Sequence, residues 1–339
     1  MPAAKEKEER MYLGHQMGDL SDEKLQWAAQ LGVEHIACES RAGVEQEDGT
    51  WNVQGIKDIQ GRLANWGITL DVLALNLPSV IPPRQRFKEI MLGTEGRDQA
   101  IDTIKQNIRV AGEAGVPALK YNLNLWGVAR TGRTKGRGGS MYSHFNYDEW
   151  PSHDAPEWGA MPEQKVWDNI SYFLERVVPV AEEARVKLAC HPHDPGIRQG
   201  MPLSQNYCVL GSVAGLKKFI DLFESPYHCL NFCQGTVTEM LEDPATEIHD
   251  VIRYFGQRKK IVMVHFRNIK GRVHDFDEVY PDNGDVDMLK AARTYQETGF
   301  PGMLCPDHVP HSEVDRGGDR QFSFCIGYIA AAIQAAGDR

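Results

Sequence analysis

Four short polar segments in the second half of the chain carry side chains that could hold a metal ion or move a proton. Each stands where a short apolar run, KLAC, HCLNF, IVMV or GMLC, comes to its end. Histidine, cysteine and aspartate bind divalent cations, and histidine also transfers protons near neutral pH. These segments predict a chemical centre if the fold brings them together. They are Cys190-His191-Pro192-His193-Asp194, Asn231-Phe232-Cys233-Gln234-Gly235, Val264-His265-Phe266-Arg267-Asn268 and Cys305-Pro306-Asp307-His308.

The elements that must position these residues are strand-like and helix-like segments, which alternate along the chain. Gly32, Gly67 and Gly115 each stand between a predicted helix and the next strand, as helix C-terminal caps do. The predicted strands are 11–15, 35–38, 69–75, 118–123, 187–190, 228–232, 261–264 and 302–305. Helices are predicted from about Ser21 and over 53–66, 97–114, 162–185, 211–223, 244–256 and 322–336, with Asp243 as the N-cap of the sixth.

This alternation predicts an α/β fold in which eight strand–helix units close into a (β/α)₈ TIM barrel. A doubly wound open sheet is the alternative, but no GxGxxG follows the first strand, and the polar segments follow four consecutive strands instead of one switch point. We expect a single domain over 1–339, with a charged tail at 1–10. A long insertion after the fourth strand, 124–161, is interpreted as a lid over the strand ends.

The carboxyl ends of barrel strands meet at one face, where active sites are built. His191, Cys233, His265 and Asp307 would follow strands five to eight there and offer N, S, N and O ligands to one divalent cation. Zn²⁺ suits such a set, and Mn²⁺, Fe²⁺ and Co²⁺ are alternatives. A single buried cysteine is usually a small core residue, so Cys190, Cys229 and Cys305 are assigned to the core.

The composition narrows the class of protein. A formal net charge of −10 argues against binding to nucleic acids but allows a small anionic substrate in a locally positive cleft. No apolar stretch approaches the roughly 20 residues that span a bilayer, and the first residues, MPAAKEKEER, lack the apolar core of a secretory signal. We expect a cytoplasmic protein with no membrane partner that forms a homo-oligomer.

At the four polar segments the sequence resembles the mannonate dehydratases, a family of xylose-isomerase-like barrels. The family's segments are similar to His-Pro-Asp-Asp-Pro, Phe-Cys-Thr-Gly-Ser, His-Phe-Arg-Asn and Pro-Asp-His-Gly-Arg. Further similarity lies at His274-Asp275-Phe276 and at 284–288. This chain departs from the family at His193, where the family has Asp, and at Val309-Pro310, which replace Gly-Arg.

The resemblance implies a metal-dependent carbon–oxygen lyase, a hydro-lyase of hexuronate catabolism. The family typically uses Mn²⁺ to remove water from D-mannonate and give 2-keto-3-deoxygluconate. Carried over to this chain, it makes His191, Cys233, His265 and Asp307 the metal ligands.

Dehydration of a sugar acid requires a base, an acid and a means of binding the carboxylate. We predict that His308 transfers a proton, with a hydrogen-bonding role beside Asp307 as its alternative, and that Arg267 holds the substrate carboxylate in a bidentate fork. Tyr328 is a further candidate proton donor, although its place in the last helix is typical of a core residue. The remaining predicted substrate contacts are His15, Asn122 and His193.

Two other functions remain open from the sequence alone. One is an isomerase, an epimerase or a different dehydratase acting on another polyhydroxy acid or keto sugar. The other is a sugar-acid binding protein that has kept the barrel without catalysis. The isomerases of this group typically use several carboxylate ligands, so a set with one cysteine and one carboxylate favours the dehydratase.

Overall fold

The structure is a computed structural model that describes residues 10–337, so all but Arg10 of the predicted charged tail lies outside the described residues. Parallel strands form one sheet in which each strand pairs with its neighbours along the chain, and the first pairs with both the second and the last. The predicted barrel is therefore confirmed. Its strands are Tyr12–Leu13 with His15–Met17, His35–Cys38, Thr69–Ala74, Ala118–Asn122, Lys187–His191, His228–Cys233, Ile261–His265 and Met303–Cys305.

The first strand is interrupted at Gly14, and this break closes the barrel. Its first part pairs with the eighth strand through Tyr12 and Met303, and its second part pairs with the second strand through His15 and Ile36. A Cβ atom at Gly14 would lie 1.9 Å from the Met303 sulfur, so only glycine allows this close approach. The predicted strand 11–15 thus extends to Met17 and carries Gln16 into the barrel.

Helices surround the barrel, and their apolar faces form the main core between helix and strand layers. Most lie within a few residues of their predicted bounds, and Asp243 and Pro244 begin the predicted helix. The helix before the last strand had no predicted bounds. Within residues 10–337 the helices are Asp22–Gln30, Val53–Ala64, Lys88–Leu92, Arg97–Glu113, Glu163–Ala184, Val213–Asp221, Gln234–Thr238, Pro244–Gln257, Met288–Glu297 and Asp319–Ala336. None of these described helices has the length and apolarity to cross a membrane.

The insertion after the fourth strand contains more regular structure than its irregular sequence indicates. Strands Gly132–Lys135 and Met141–Asn146 form a hairpin, which continues into a second hairpin, Asn268–Arg272 and Asp275–Val279, that follows the seventh barrel strand. Phe145 and Phe276 are paired across this four-stranded antiparallel sheet. The insertion is therefore joined by backbone hydrogen bonds to a loop at the carboxyl end of the barrel.

Candidate active site

The four predicted metal ligands meet at the carboxyl end of the barrel. His191, Cys233, His265 and Asp307 each offer one ligand atom, and these atoms all lie within 4.8 Å of one another. Asp307 Oδ2 lies 3.5 Å from His265 Nδ1 and 3.6 Å from Cys233 Sγ. Such a spacing lets a single cation contact all four donor atoms.

The hydrogen bonds of the two histidines leave one free nitrogen on each for a metal. His191 Nδ1 donates to the carbonyl oxygen of Pro192 at 2.7 Å, so its Nε2 carries the lone pair. His265 Nε2 donates to Gln16 Oε1 at 2.8 Å, and Gln16 Oε1 must be an acceptor because it also receives a bond from Lys120 Nζ at 2.6 Å. His265 Nδ1 is buried and has no hydrogen-bond partner among the described residues. A buried nitrogen in this state fits a metal ligand.

The charges of the four side chains also fit a divalent cation. Burial alone would raise the pKa of the Cys233 thiol, but the Arg267 guanidinium beside it brings that pKa below its usual value. Burial likewise opposes ionisation of Asp307, yet His308 and His265 hold the pKa of its carboxyl well below the usual range. Burial lowers the pKa of His191 to about 4, so this imidazole is neutral at pH 7. A thiolate at Cys233 and a carboxylate at Asp307 would together balance the charge of a divalent cation.

Three of the four ligand residues, His191, His265 and Asp307, line a cavity of about 200 Å³, large enough for a small polyhydroxylated molecule. Asn122, a predicted substrate contact, lines this cavity and donates a hydrogen bond to the carbonyl oxygen of Leu77 at 3.2 Å. The polar side chains of the lining are Gln16, Glu39, Arg41, Ser79, Lys120, Asn122, His191, Asp194, His265, Asp307 and His308.

His308 lies beside the ligand set and is held by a carboxylate. Its Nδ1 lies 2.9 and 3.1 Å from the two carboxylate oxygens of Glu278, and its Nε2 lies 3.6 Å from Asp307 Oδ1. Burial lowers the pKa of His308, but the charges of Asp307 and Glu278 outweigh that effect and raise it to about 9. A carboxylate on Nδ1 orients the ring and increases its proton affinity, as in the histidine–carboxylate pairs of hydrolases.

The comparisons with known proteins agree with this geometry. A family model described as D-mannonate dehydratase (UxuA) matches residues 153–323, which is just over half of the chain. The chain belongs to the D-mannonate dehydratase family. The matched range contains all four clustered ligand residues together with Glu278 and His308.

Individual relatives cover most of the chain at low identity. Mannonate dehydratase 2 of Halalkalibacterium halodurans is 27% identical over 289 residues, which are 77% of this chain and 79% of that protein. Mannonate dehydratase of Thermotoga maritima is 26% identical over 302 residues, which are 76% of this chain and 78% of that protein.

Solved structures show the same fold. The crystal structure of mannonate dehydratase from Streptococcus suis serotype 2 matches with a TM-score of 0.82 and 22% identity, and covers 96% of this chain and 93% of that chain. L-ribulose 3-epimerase matches with a TM-score of 0.57 at 12% identity over 96% of each chain. Members of the mannonate dehydratase family therefore share their barrel with sugar epimerases.

Arg267, the predicted partner of the substrate carboxylate, lies against buried carboxylates of the protein itself. Its side chain is only 2% exposed and is absent from the described cavity lining. Its Nη2 lies 3.1 Å from Glu239 Oε1, its Nε lies 3.3 Å from Asp307 Oδ2, and its Nη1 contacts Glu278. The donors of Arg267 therefore face the protein's own carboxylates and not the cavity.

Arg267 belongs to a buried ionic cluster with Arg130, Asp194, Glu239 and Glu278. Arg130, from the insertion, donates to Asp194 Oδ2 at 3.1 Å and also contacts Glu278. Burial, followed by the charge of Asp194, raises the pKa of Glu239 well above its usual value. Two guanidinium groups then face the carboxylates of Asp194 and Glu278, and the cluster links the insertion to the side chain that holds His308.

We expect Arg130→Met to lower the free energy of unfolding by about 3 kcal/mol, because it leaves buried carboxylates without one of their two cations. Chemical denaturation followed by circular dichroism measures this change. Arg198→Met is the matched control, since Arg198 forms an exposed ion pair with Glu242, and we expect a loss below about 1 kcal/mol. Equal losses in the two variants would contradict the role assigned to Arg130.

Three other predicted site residues lie outside the described cavity lining. His193 is 2% exposed, and its Nε2 donates to the carbonyl oxygen of Leu123 at 2.8 Å. The His15 ring packs between Trp27 and Phe322, with centroids 5.5 and 5.2 Å away. Both histidine rings are thus directed to other parts of the protein and not to the cavity.

Tyr328 lies on the outer helix Asp319–Ala336, where its ring packs beside Phe324 at 6.3 Å. It is among the partly buried side chains that pack against the main core. Its position on the outer layer therefore agrees with the core role that the sequence also allowed, and not with a proton donor in the cavity.

Apart from Asn122, the polar cavity residues from the first half of the chain were not predicted from the sequence. Three of them are Lys120, Gln16 and Glu39. A lysine inside the buried strand ALKYN was a usable signal, because burial of an ammonium group in a barrel strand is costly without a partner. Gln16 and Glu39 gave no such signal, since each stands beside a strand end where polar residues are common.

Proposed function

We propose that this protein is a divalent-metal-dependent hydro-lyase that removes water from a sugar acid, converting D-mannonate to 2-keto-3-deoxygluconate. The observation that carries the proposal is the cluster of His191, Cys233, His265 and Asp307, three of which line one cavity together with His308. Membership of the D-mannonate dehydratase family supports the choice of reaction and substrate.

His191, Cys233, His265 and Asp307 would hold the cation, which we propose to be Mn²⁺, with Fe²⁺, Co²⁺ and Zn²⁺ as alternatives. The unpartnered Nδ1 of His265 and the two anionic donors support this assignment. When bound, the cation supplies Lewis-acid stabilisation of negative charge on the substrate carboxylate.

His308 takes the proton from the carbon next to the carboxylate. Its Nδ1–H is held by Glu278, so Nε2 accepts this proton in the neutral form of the ring, whose population rises as the pH approaches 9. Asn122, which is paired with His191 on the neighbouring strand, contacts the substrate hydroxyls. The ionic cluster around Arg267 keeps Asp307, Cys233 and Glu278 in place before the substrate binds.

We also propose that residues 1–339 act as one domain, with the insertion 124–161 covering the strand ends. Val128 of the insertion lines the cavity, and Arg130 reaches the buried cluster, which supports this role. We propose a homo-oligomer in the cytoplasm. Light scattering of the purified protein would give its mass and would contradict this assignment if only monomer were present.

The activity is tested on the metal-free protein reloaded separately with Mn²⁺, Fe²⁺, Co²⁺ or Zn²⁺. We expect a 2-keto-3-deoxy acid from D-mannonate within a panel of hexonates and pentonates, and loss of the activity on chelation. Keto-acid formation from another aldonate alone would change the substrate and keep the reaction. Epimerised sugar without loss of water, or binding without any product, would overturn the dehydratase.

A further inference from the structure

A continuous row of contacts runs across the cavity from Lys120 to His308. Lys120 Nζ donates to Gln16 Oε1 at 2.6 Å, and the same oxygen accepts from His265 Nε2 at 2.8 Å. On its other side His265 Nδ1 lies 3.5 Å from Asp307 Oδ2, and Asp307 Oδ1 lies 3.6 Å from His308 Nε2. Lys120 and His308 are therefore at opposite ends of the row, with two proposed metal ligands between them.

Few cavity side chains are able to exchange a proton with a substrate. The proposed metal ligands use their donor atoms on the cation, and Asp194 is held by Arg130. Arg41 binds Glu45 at 3.0 Å and keeps its proton at all accessible pH values. Besides His308, the titratable side chains left in the described lining are Lys120 and its partner Glu39.

Burial of the Lys120 ammonium group costs desolvation free energy, but it places a proton donor inside the cavity. It is 7% exposed on the fourth barrel strand, where Ala118 and Asn122, two residues away on either side, point into the same lumen. An aliphatic side chain would fill this place without the desolvation of an ammonium group. Glu39 contacts Lys120 and has a side chain that is 35% exposed, so it connects the buried ammonium to solvent.

We propose that Lys120 is the acid that protonates the departing hydroxyl group. The proposal rests on the proposed dehydration. His308 takes the proton from the carbon next to the carboxylate, and the C–H electron pair forms a double bond to the next carbon. The C–O bond of that carbon breaks with its electron pair on oxygen, and the Lys120 ammonium gives this oxygen a proton, so water leaves. The enol becomes the 2-keto acid by taking the proton held on His308 at the carbon that lost the hydroxyl group and by releasing its own hydroxyl proton to solvent, and solvent returns a proton to Lys120 along Glu39.

The test compares Lys120→Met and Lys120→Arg with the wild-type protein loaded with Mn²⁺. Arginine keeps the charge but does not release a proton, so both variants are expected to lose on the order of 10²-fold in kcat on D-mannonate while KM changes little. A substrate whose leaving group needs no proton should rescue them. The fluoro substrate is 3-deoxy-3-fluoro-D-mannonate. If Lys120 acts only by protonating the departing hydroxyl group, the rate of fluoride release by Lys120→Met is expected to be within about threefold of the wild-type rate.

A second readout separates the two proton transfers. In D₂O, Lys120→Met should still exchange the proton next to the carboxylate in recovered substrate, because His308 remains. Lys187→Met is the matched control, since Lys187 is exposed at the opposite end of the neighbouring strand and should keep wild-type turnover.

Wild-type kcat in Lys120→Arg, or failure of the fluoro substrate to rescue Lys120→Met, would overturn the acid role. Loss of metal in both variants would also overturn it and would make Lys120 a positioning residue for His265 through Gln16. If Lys120→Met does not fold, Lys120→Arg with the fluoro substrate decides the question. Failure of the proposed function itself is recognised separately, because wild type would then give no keto acid from any aldonate.

Discussion

Replacing Cys233 with serine is expected to abolish stoichiometric metal binding and to lower turnover by on the order of 10³-fold, a larger effect than the loss of a residue that only supports a ligand. The Cys233 thiol has a pKa below its usual value because the Arg267 guanidinium outweighs the effect of burial. A serine hydroxyl stays protonated at neutral pH. The variant would therefore offer the cation a single anionic ligand, Asp307, in place of two.

Metal content of the purified variant, measured by inductively coupled plasma mass spectrometry together with keto-acid formation, checks this result. Cys229→Ser is the matched control, because Cys229 is equally buried near the start of the same strand, and its Sγ donates to the carbonyl oxygen of Pro226 at 3.3 Å. Full metal content and activity in Cys233→Ser would show that the four-ligand centre is wrong.

His308→Asn is expected to keep the metal and to lose on the order of 10³-fold in turnover, the size of effect that removal of a general base produces. Asparagine can still donate a hydrogen bond to Glu278, so the ionic cluster keeps its partner at this position. It has no nitrogen that accepts a proton in the pH range of activity. The loss should therefore fall on kcat and leave metal affinity unchanged.

Proton exchange gives this prediction a readout that a purely structural role would not change. In D₂O, His308→Asn should leave the hydrogen next to the substrate carboxylate unexchanged, whereas Lys120→Met should still exchange it. His311→Asn is the control, because His311 lies three residues away and pairs with Glu313 on the surface at 3.2 Å. Unchanged turnover in His308→Asn would remove His308 from the reaction.

The residues at which this chain departs from the family motif lie outside the cavity lining. His193 is buried against a backbone carbonyl, and neither Val309 nor Pro310 is among the described residues that line the cavity. The Lys120–Glu39 pair does line it. Differences in substrate preference should therefore be sought at strand ends of the first half of the barrel.

The sequence by itself determined the barrel and the four residues of the proposed metal centre. Alternating apolar runs and helical segments specify a parallel barrel, and the carboxyl ends of its strands must meet at one face. A ligand at or just past the end of each of the last four strands is then placed near the other ligands by topology alone. The sequence alone therefore identifies the four candidate ligands, His191, Cys233, His265 and Asp307.

Only the tertiary structure decided which neighbouring side chains face the cavity. Arg267 follows His265 by two residues, but its guanidinium turns to Glu278 of the antiparallel hairpin and to Asp194, which follows the fifth barrel strand. Lys120 reaches the metal centre through Gln16 because the break at Gly14 lets the first strand close the barrel. The direction of a side chain depends on register and on partners far away in sequence, whereas the order of strand ends depends on local pattern and chain connectivity.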